Sequence, residues 1–288
     1  SVEKNRFVFT LKATILRVHE GTVNAVMQDV REYLKDNSIY RGKALKIRFL
    51  DADGDVLPLP EITLVDTTKT NTDMLIFSDD LTAQVSTNLF TPIERIADLK
   101  ANNLPIKRGV LLAGTYGTGK TLAASVAAKK ATENDLTFIY VPHADEMAMA
   151  VEFAKQYQKD TAAVVYCEDI DRCIGSDERT VEIDDLLNII DGIDTKSANI
   201  IIILTTNDLQ SINSAMLRPG RLDAVIEITT PDAGAVERLL RSYGGDLISP
   251  EANLRPVGQV LDGQIPATIA EVVKRAKLAQ IRRNAPGE

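Results

Sequence analysis

Cysteine is scarce in this chain: Cys167 and Cys173 are its only two. That is too few for a disulfide framework, and no metal-ligand spacing surrounds them, so a reducing compartment, the cytoplasm, is expected. Histidine is equally sparse. His19 and His143 have no Cys, Asp or Glu partner at ligand spacing, which leaves them as packed or solvent-facing residues. Positive charge is in deficit: 33 lysines and arginines face 41 aspartates and glutamates, a formal net charge of −8. Nucleic acid bound through its phosphates is disfavoured on such a chain, and an anionic membrane surface would repel it. Long apolar runs are missing too. The longest, Asn199 to Thr206, falls far short of the ~20 residues that span a bilayer. The opening SVEKNRFVFT has no signal-peptide apolar region, so a soluble, unexported protein with no membrane partner is the expectation. No internal repeat or low-complexity tract occurs. What the chain does have is length and apolar content. Its 288 residues, 44% of them hydrophobic, suffice for about two domains of roughly 150 residues with real cores.

Phe7, Phe9, Leu11, Ala13 and Ile15 alternate with Val8, Thr10, Lys12 and Thr14, the pattern of a half-buried strand. Thr22 can cap a helix in which Val23, Val26, Met27, Val30 and Leu34 recur at helical spacing. Leu45, Ile47 and Phe49 then alternate with Lys46 and Arg48 ahead of an Asp53-Gly54 turn, which predicts a hairpin over 44–65. Asp51, Asp53 and Asp55 do not make a calcium loop, because Gly54 comes two positions early for one. Residues 1–75 are thus expected to form a small N-terminal α/β domain, joined by the polar, aperiodic segment 66–73 (DTTKTNTD) acting as a linker. Beyond it the style changes. Short apolar runs at 110–113, 137–141, 163–167, 200–204 and 225–228 alternate with helical stretches, as in a mainly parallel sheet buried on both faces. After Pro231 the pattern turns helical, over 233–243 and 266–283. The fold class is therefore α/β, with a larger unit over 76–231 and a small helical lid over 232–288.

Gly114-Thr115-Tyr116-Gly117-Thr118-Gly119-Lys120-Thr121 directly follows the strand Val110 to Ala113 and opens a helix at Leu122. This is the full P-loop pattern in its strand–loop–helix setting. Glycines let backbone N–H groups wrap phosphates, the helix N-terminus adds a favourable dipole, Lys120 reaches the β- and γ-phosphates, and Thr121 ligates magnesium. The apolar strand Val164 to Cys167 ends in Glu168-Asp169, which delivers carboxylates to the carboxyl edge of the sheet beside the P-loop. One carboxylate is expected to hold magnesium and the next to orient the attacking water; an acidic surface turn is the alternative. By closeness to the strand, Glu168 is assigned the metal and Asp169 the water. A third apolar strand ends in Thr205-Thr206-Asn207, followed by Leu217-Arg218-Pro219-Gly220-Arg221-Leu222-Asp223. Asn207 can reach the water or the γ-phosphate, and the two arginines form a rigid cationic prong.

The order of P-loop, acidic strand end, Asn207 and LRPGRLD resembles the AAA family of hexameric ATPases over about residues 78–283. Thr91 to Gly109 also resembles the helix and proline-rich lead-in that precedes that family's P-loop. The resemblance implies a P-loop NTPase parallel sheet with a helical lid, and ATP and magnesium as cofactors. It implies that Asn207 is a polar sensor and that Arg218 and Arg221 are arginine fingers reaching a neighbouring subunit's ATP. It implies adenine contacts around Asp80 and Leu81, and base and ribose contacts at Tyr243 and Ala267. Glu168-Asp169 reverses the usual Asp-Glu order, like the AAA translocase of the mitochondrial inner membrane. His143 to Tyr157 lacks the aromatic pore loop of threading unfoldases; Met147 and Met149 could stand in, although Met149, Phe153 and Tyr157 read as the core face of a helix.

Together these readings give a ring-forming ATPase, expected to be a hexamer, that remodels a protein client. A DNA-handling, clamp-loader-like protein and a nucleotide-gated scaffold with slow turnover are the alternatives. Residues 1–75 are expected to bind the client through an exposed strand edge and to be dispensable for basal turnover. The basic face of the last helix (Lys274, Arg275, Lys277, Arg282, Arg283) needs no nucleic acid, since helix-dipole complementation and a Glu271–Arg275 pair account for it.

Overall fold

The apolar runs of the sequence become strands of one seven-stranded sheet. The computed structural model describes residues 16–155, 162–170, 199–210 and 222–283. The strands are β1 (Ala44–Leu50), β2 (Val56–Leu64), β3 (Arg108–Ala113), β4 (Thr137–Val141), β5 (Ala163–Cys167), β6 (Ile200–Thr206) and β7 (Ala224–Glu227). They lie in the order β2-β1-β4-β5-β6-β3-β7. All neighbours are parallel except the β1–β2 hairpin. β5 and β6 are buried along their whole length, which is why their residues read as unbroken apolar runs. The helices are α1 (Glu20–Asn37), α2 (Asp79–Val85), α3 (Thr91–Glu94), α4 (Ile96–Ala101), α5 (Lys120–Glu133), α6 (Met147–Lys155), α7 (Ala233–Gly244), α8 (Arg255–Val260) and α9 (Pro266–Arg283).

Two apolar layers cover the sheet. α5 presents Ala123, Ala124, Ala127, Ala128 and Ala131 to one face, beside Val110, Leu112 and Val164. Short side chains let this helix approach the strands closely, which keeps its N-terminus near the strand tips. α6 covers the other face with Met147, Ala150, Val151 and Ala154. A third cluster, Val236, Leu239, Leu240, Ile269 and Val273, joins α7 to α9. α7 starts at Asp232, whose carboxylate accepts from the Ala235 N–H at 2.7 Å, an N-cap. At the surface of α9, Arg275 Nε donates to Glu271 Oε1 at 2.9 Å, the pair expected from the sequence.

The structure corrects the N-terminal domain in three respects. First, the hairpin over 44–65 is no part of a separate unit. β1 pairs in parallel with β4, Ala44 opposite Phe138 and Lys46 opposite Tyr140. Leu45 and Ile47 are fully buried and pack with Ile139, Val141 and Met147. Buried Glu146 accepts from the Phe49 N–H, and from the Leu50 N–H at 3.4 Å, tying the end of β1 to the start of α6. Second, segment 66–73 is no free linker. Thr67 and Thr132 hydroxyls lie 3.2 Å apart and Lys129 Nζ donates to the Thr70 carbonyl at 3.0 Å, so the segment straps across α5 through hydroxyls and backbone. A strap held by polar groups reads as a linker in sequence. Third, the exposed edge is guarded. β2 carries Pro58 and Pro60, which offer no N–H to an incoming strand, and the ladder shifts register between Arg48 and Leu50.

Met147 is likewise corrected as a gripping residue: it is fully buried under the sheet, and Met149 and Phe153 pack partly against the same cluster. The expected helix forms as α1, but it starts at Glu20 with Thr22 inside its first turn instead of capping it, and Val26, Met27, Val30 and Leu34 on its apolar stripe stay about half exposed. The strand expected over 7–15, Cys173, Tyr157, Arg218 and Arg221 lie outside the described residues.

Candidate active site

The site assembles at the carboxyl ends of β3, β5 and β6, where α5 begins. Gly119 is the N-cap of α5 with φ +110°, a conformation open to glycine and strained for side-chain-bearing residues. At Gly114 a Cβ would run into the Ile228 carbonyl oxygen. The loop between them is braced from outside. A Cβ on Gly119 would lie 3.3 Å from the Phe77 ring, and one on Gly117 would lie 3.2 Å from Ile265 Cδ1. Arg238 of α7 in turn donates to the Phe77 carbonyl at 2.7 Å and pairs with Asp79 at 3.0 Å.

Lys120 is buried, and its ammonium donates to the carbonyls of Gly114 (2.6 Å) and Thr115 (2.9 Å) and to Asn207 Oδ1 (2.8 Å). The Asn207 amide donates onward to Asp169 Oδ1 at 2.8 Å. A cation, an amide and a carboxylate from α5, β6 and β5 thus form one hydrogen-bonded line. Asp169 has φ +48° and its N–H donates to Thr205 Oγ1 at 2.9 Å. A non-glycine residue in this left-handed region is uncommon and marks a constrained position. On the other side, the Thr121 hydroxyl donates to Glu168 Oε1 at 2.5 Å. The Tyr140 hydroxyl of β4 donates to Glu168 Oε2 at 3.4 Å. Burial first, and then the Glu168 charge, push the Tyr140 phenol up to about 12, so it remains a donor at neutral pH. The same two causes raise Tyr166.

Lys120, Thr121, Glu168, Asp169 and Asn207 line a cleft of about 310 Å³, completed by Tyr116, Gly117, Gly119 and Leu122. The Tyr116 ring is 63% exposed and its centroid lies 6.0 Å from Lys120 Nζ. Thr118 sits inside the loop, its hydroxyl donating to the Thr115 carbonyl at 2.9 Å. Asp80, Leu81, Tyr243 and Ala267 are not brought into this cleft. Leu81 is buried in the core, Asp80 and Ala267 are exposed, and Tyr243 packs half-buried in the lid cluster, where burial raises its pKa. The structure therefore brings together Lys120, Thr121, Glu168, Asp169 and Asn207, and adds Tyr140, Thr205, Phe77, Ile265 and Arg238. Tyr140 and Thr205 carry a signal of position, since both stand near strand ends. Phe77, Ile265 and Arg238 carry none. Asp223 ties the residues just ahead of β7 to the start of β3: its carboxylate accepts from the Gly109 N–H at 2.8 Å, and its own N–H donates to the Gly109 carbonyl at 2.8 Å.

The residues fit a magnesium nucleotide on their own chemistry. A hydroxyl and a carboxylate 2.5 Å apart are hard oxygen donors suited to Mg²⁺. Side chains at Gly114 or Gly119 would fill or strain the glycine loop at the start of α5, and the N-terminus of a helix of this length is a natural anion site.

Residues 110–230 match the family model described as "ATPase family associated with various cellular activities (AAA)". The relatives found include the ATP-dependent zinc metalloprotease FtsH of Clostridium perfringens, 29% identical over 62% of this chain and 26% of that protein. FtsH of Helicobacter pylori is 29% identical over 66% of this chain and 32% of its own length. FtsH of Rhodococcus erythropolis is 30% identical over 67% and 24%. The chain thus spans about a quarter to a third of the length of these relatives, and what their names say of zinc and proteolysis is said of those proteins. The match begins inside β3 and closes past β7, taking in every side chain of the Lys120–Asn207–Asp169 line and the Thr121–Glu168 pair: this chain carries an ATPase domain of the AAA family.

Proposed function

We propose that the chain hydrolyses ATP within a ring of identical subunits, six in number, and uses the cycle to remodel a protein client. The convergence of Lys120, Asn207 and Asp169 on one hydrogen-bonded line, beside the Thr121–Glu168 pair, carries this reading. Thr121 and Glu168 would hold magnesium, which supplies charge neutralisation at the phosphates. Lys120 already has three acceptors, so it exchanges neutral carbonyls for phosphate oxygens, a stronger charge-assisted bond. Asp169 accepts the proton of the attacking water, and Asn207 fixes the carboxylate that does so. Arg218 and Arg221 complete a neighbouring subunit's site; Tyr243 and Ala267 meet the base and ribose once the lid closes, together with Asp80 and the backbone of Leu81, whose side chain stays in the core. A cytoplasmic location belongs to the same proposal. No helix among the described residues is long and apolar enough to cross a membrane.

The test is turnover against protein concentration. Arginine fingers supplied from outside are worth ~10³ or more in rate, so specific activity rises with concentration, and Arg218→Ala or Arg221→Ala abolishes it while nucleotide still binds. A monomer, verified by light scattering, that turns over ATP at a constant specific rate refutes the shared site. Client remodelling is tested by recovering substrates on an Asp169→Asn ring; DNA-stimulated turnover would move the client to nucleic acid.

A further inference from the structure

We propose that Tyr140 is a positioning residue for Glu168, and that through it the edge hairpin sets the affinity of the site for magnesium. The proposal rests on the reading of Glu168 as a metal ligand. The reversed carboxylate order puts the longer side chain at the metal position, and an added rotatable bond makes a carboxylate costlier to fix in one orientation. Glu168 is held at both oxygens: Thr121 donates to Oε1 at 2.5 Å and Tyr140 to Oε2 at 3.4 Å. In the assigned role Thr121 turns its oxygen to the metal. The Tyr140 hydroxyl, outside the P-loop, then bears the orientation of the carboxylate.

Tyr140 is itself held from two directions. Its ring stacks on Tyr166 with centroids 5.3 Å apart and planes at 29°. Lys46 Nζ lies 5.5 Å from the ring centroid, and Lys46 and Tyr140 are register partners between β1 and β4. A cation over an aromatic face is attracted to it and draws on its electron density, which strengthens the phenol as a donor. The 3.4 Å contact is long for an O–H···O bond, and room exists for it to shorten. A cavity of about 150 Å³ is walled by Tyr140, Tyr166 and Glu168, by Ser125 of α5, and by Thr67 and Thr70 of the strap that follows the hairpin. Movement of β1 or its strap therefore moves Lys46 and the cavity roof, then Tyr140, then the Glu168 oxygen.

Magnesium titrations of fluorescent ADP bound to the full chain at equilibrium, with no turnover, test this. Tyr140→Phe should raise the magnesium concentration at half-effect about fivefold, the net contribution of an ordinary hydrogen bond, as befits a contact of this length. Its ADP affinity in EDTA should match wild type. Lys46→Met, on the solvent side of β1, should shift the magnesium curve about twofold in the same direction. Manganese binding followed by electron paramagnetic resonance should give the same ranking. A Tyr140→Phe curve that overlays wild type while Glu168→Gln is strongly shifted overturns the inference and leaves the metal ligand standing. A Glu168→Gln curve that also overlays overturns the ligand reading itself. If Tyr140→Phe melts early or loses ADP affinity in EDTA as well, its role is structural and the inference falls. If Lys46→Met overlays wild type, the link to the hairpin falls.

Discussion

The carboxyl ends of the central strands and the hairpin edge belong to one sheet, yet they are built by opposite means. At the strand ends, polar side chains from β5, β6 and α5 meet in a hydrogen-bonded cluster lining an open cleft. At the edge, β1 is attached by apolar packing of Leu45 and Ile47, with one buried carboxylate, Glu146, stitching its end. Chemistry sits where side chains can be rearranged at modest cost, and stability sits where they cannot. Removing a residue from the first region should cost rate and leave the fold; removing one from the second should do the reverse.

The largest expected effect is on the edge. Deletion of residues 1–65 strips β1 and β2 from the sheet and exposes Ile139 and Val141, so a soluble, nucleotide-binding protein should not be recovered, whereas deletion of 1–42 should leave the AAA domain folded. Expression and ADP binding decide it; a folded, active 66–288 fragment would restore the independence of the hairpin. Next come the site residues. Lys120→Ala should abolish nucleotide binding, and Asp169→Asn should keep it while lowering turnover at least ~100-fold, the usual contribution of a general base. Melting temperatures of both should stay near wild type, and a large drop in either would erase the division between rate and stability. Smaller is Ile47→Ala, at about 3 kcal/mol for a buried truncation, read by denaturant unfolding. Leu59→Ser on the exposed strand should change stability by under ~0.5 kcal/mol. The smallest effect is at the surface of α9. Hydrogen bonding to Arg275, and then the charge of Lys274, hold Glu271 below the ordinary carboxylate range. A depressed carboxyl contributes stability present above its unfolded pKa and lost as pH falls through the folded one. Glu271→Gln should thus melt slightly below wild type at pH 7, and the difference should fade as the pH is lowered through and below the ordinary carboxylate range.

Much of this was legible from local pattern. The five apolar runs became β3 to β7, and the P-loop stood in its expected setting because glycine spacing and the following helix are encoded within a dozen residues. Glu168, Asp169 and Asn207 were legible as strand tips for the same reason. The hairpin was found as a hairpin, but nothing local records that Ala44 to Lys46 pair with Phe138 to Tyr140. Alternation fixes which face of β1 is buried, not what covers it. Met147 shows the same gap: a methionine after a strand reads equally as pore or core, and packing against Ile139 and Leu45 decides. Phe77, Ile265 and Arg238 were missed because bracing a loop requires only shape or a carbonyl within reach.

Pro58 and Pro60 in the outer strand have a consequence for handling the protein in bulk. That strand shows Val56 at 70%, Leu59 at 56% and Leu64 at 62% exposure, the composition of a segment that stacks into fibrils. Two missing amide donors on alternate residues interrupt the hydrogen-bonded rail that such stacking requires. Exchange of Pro58 and Pro60 to threonine should therefore make the chain prone to fibrils on storage at high concentration, read by light scattering and thioflavin fluorescence against the native chain.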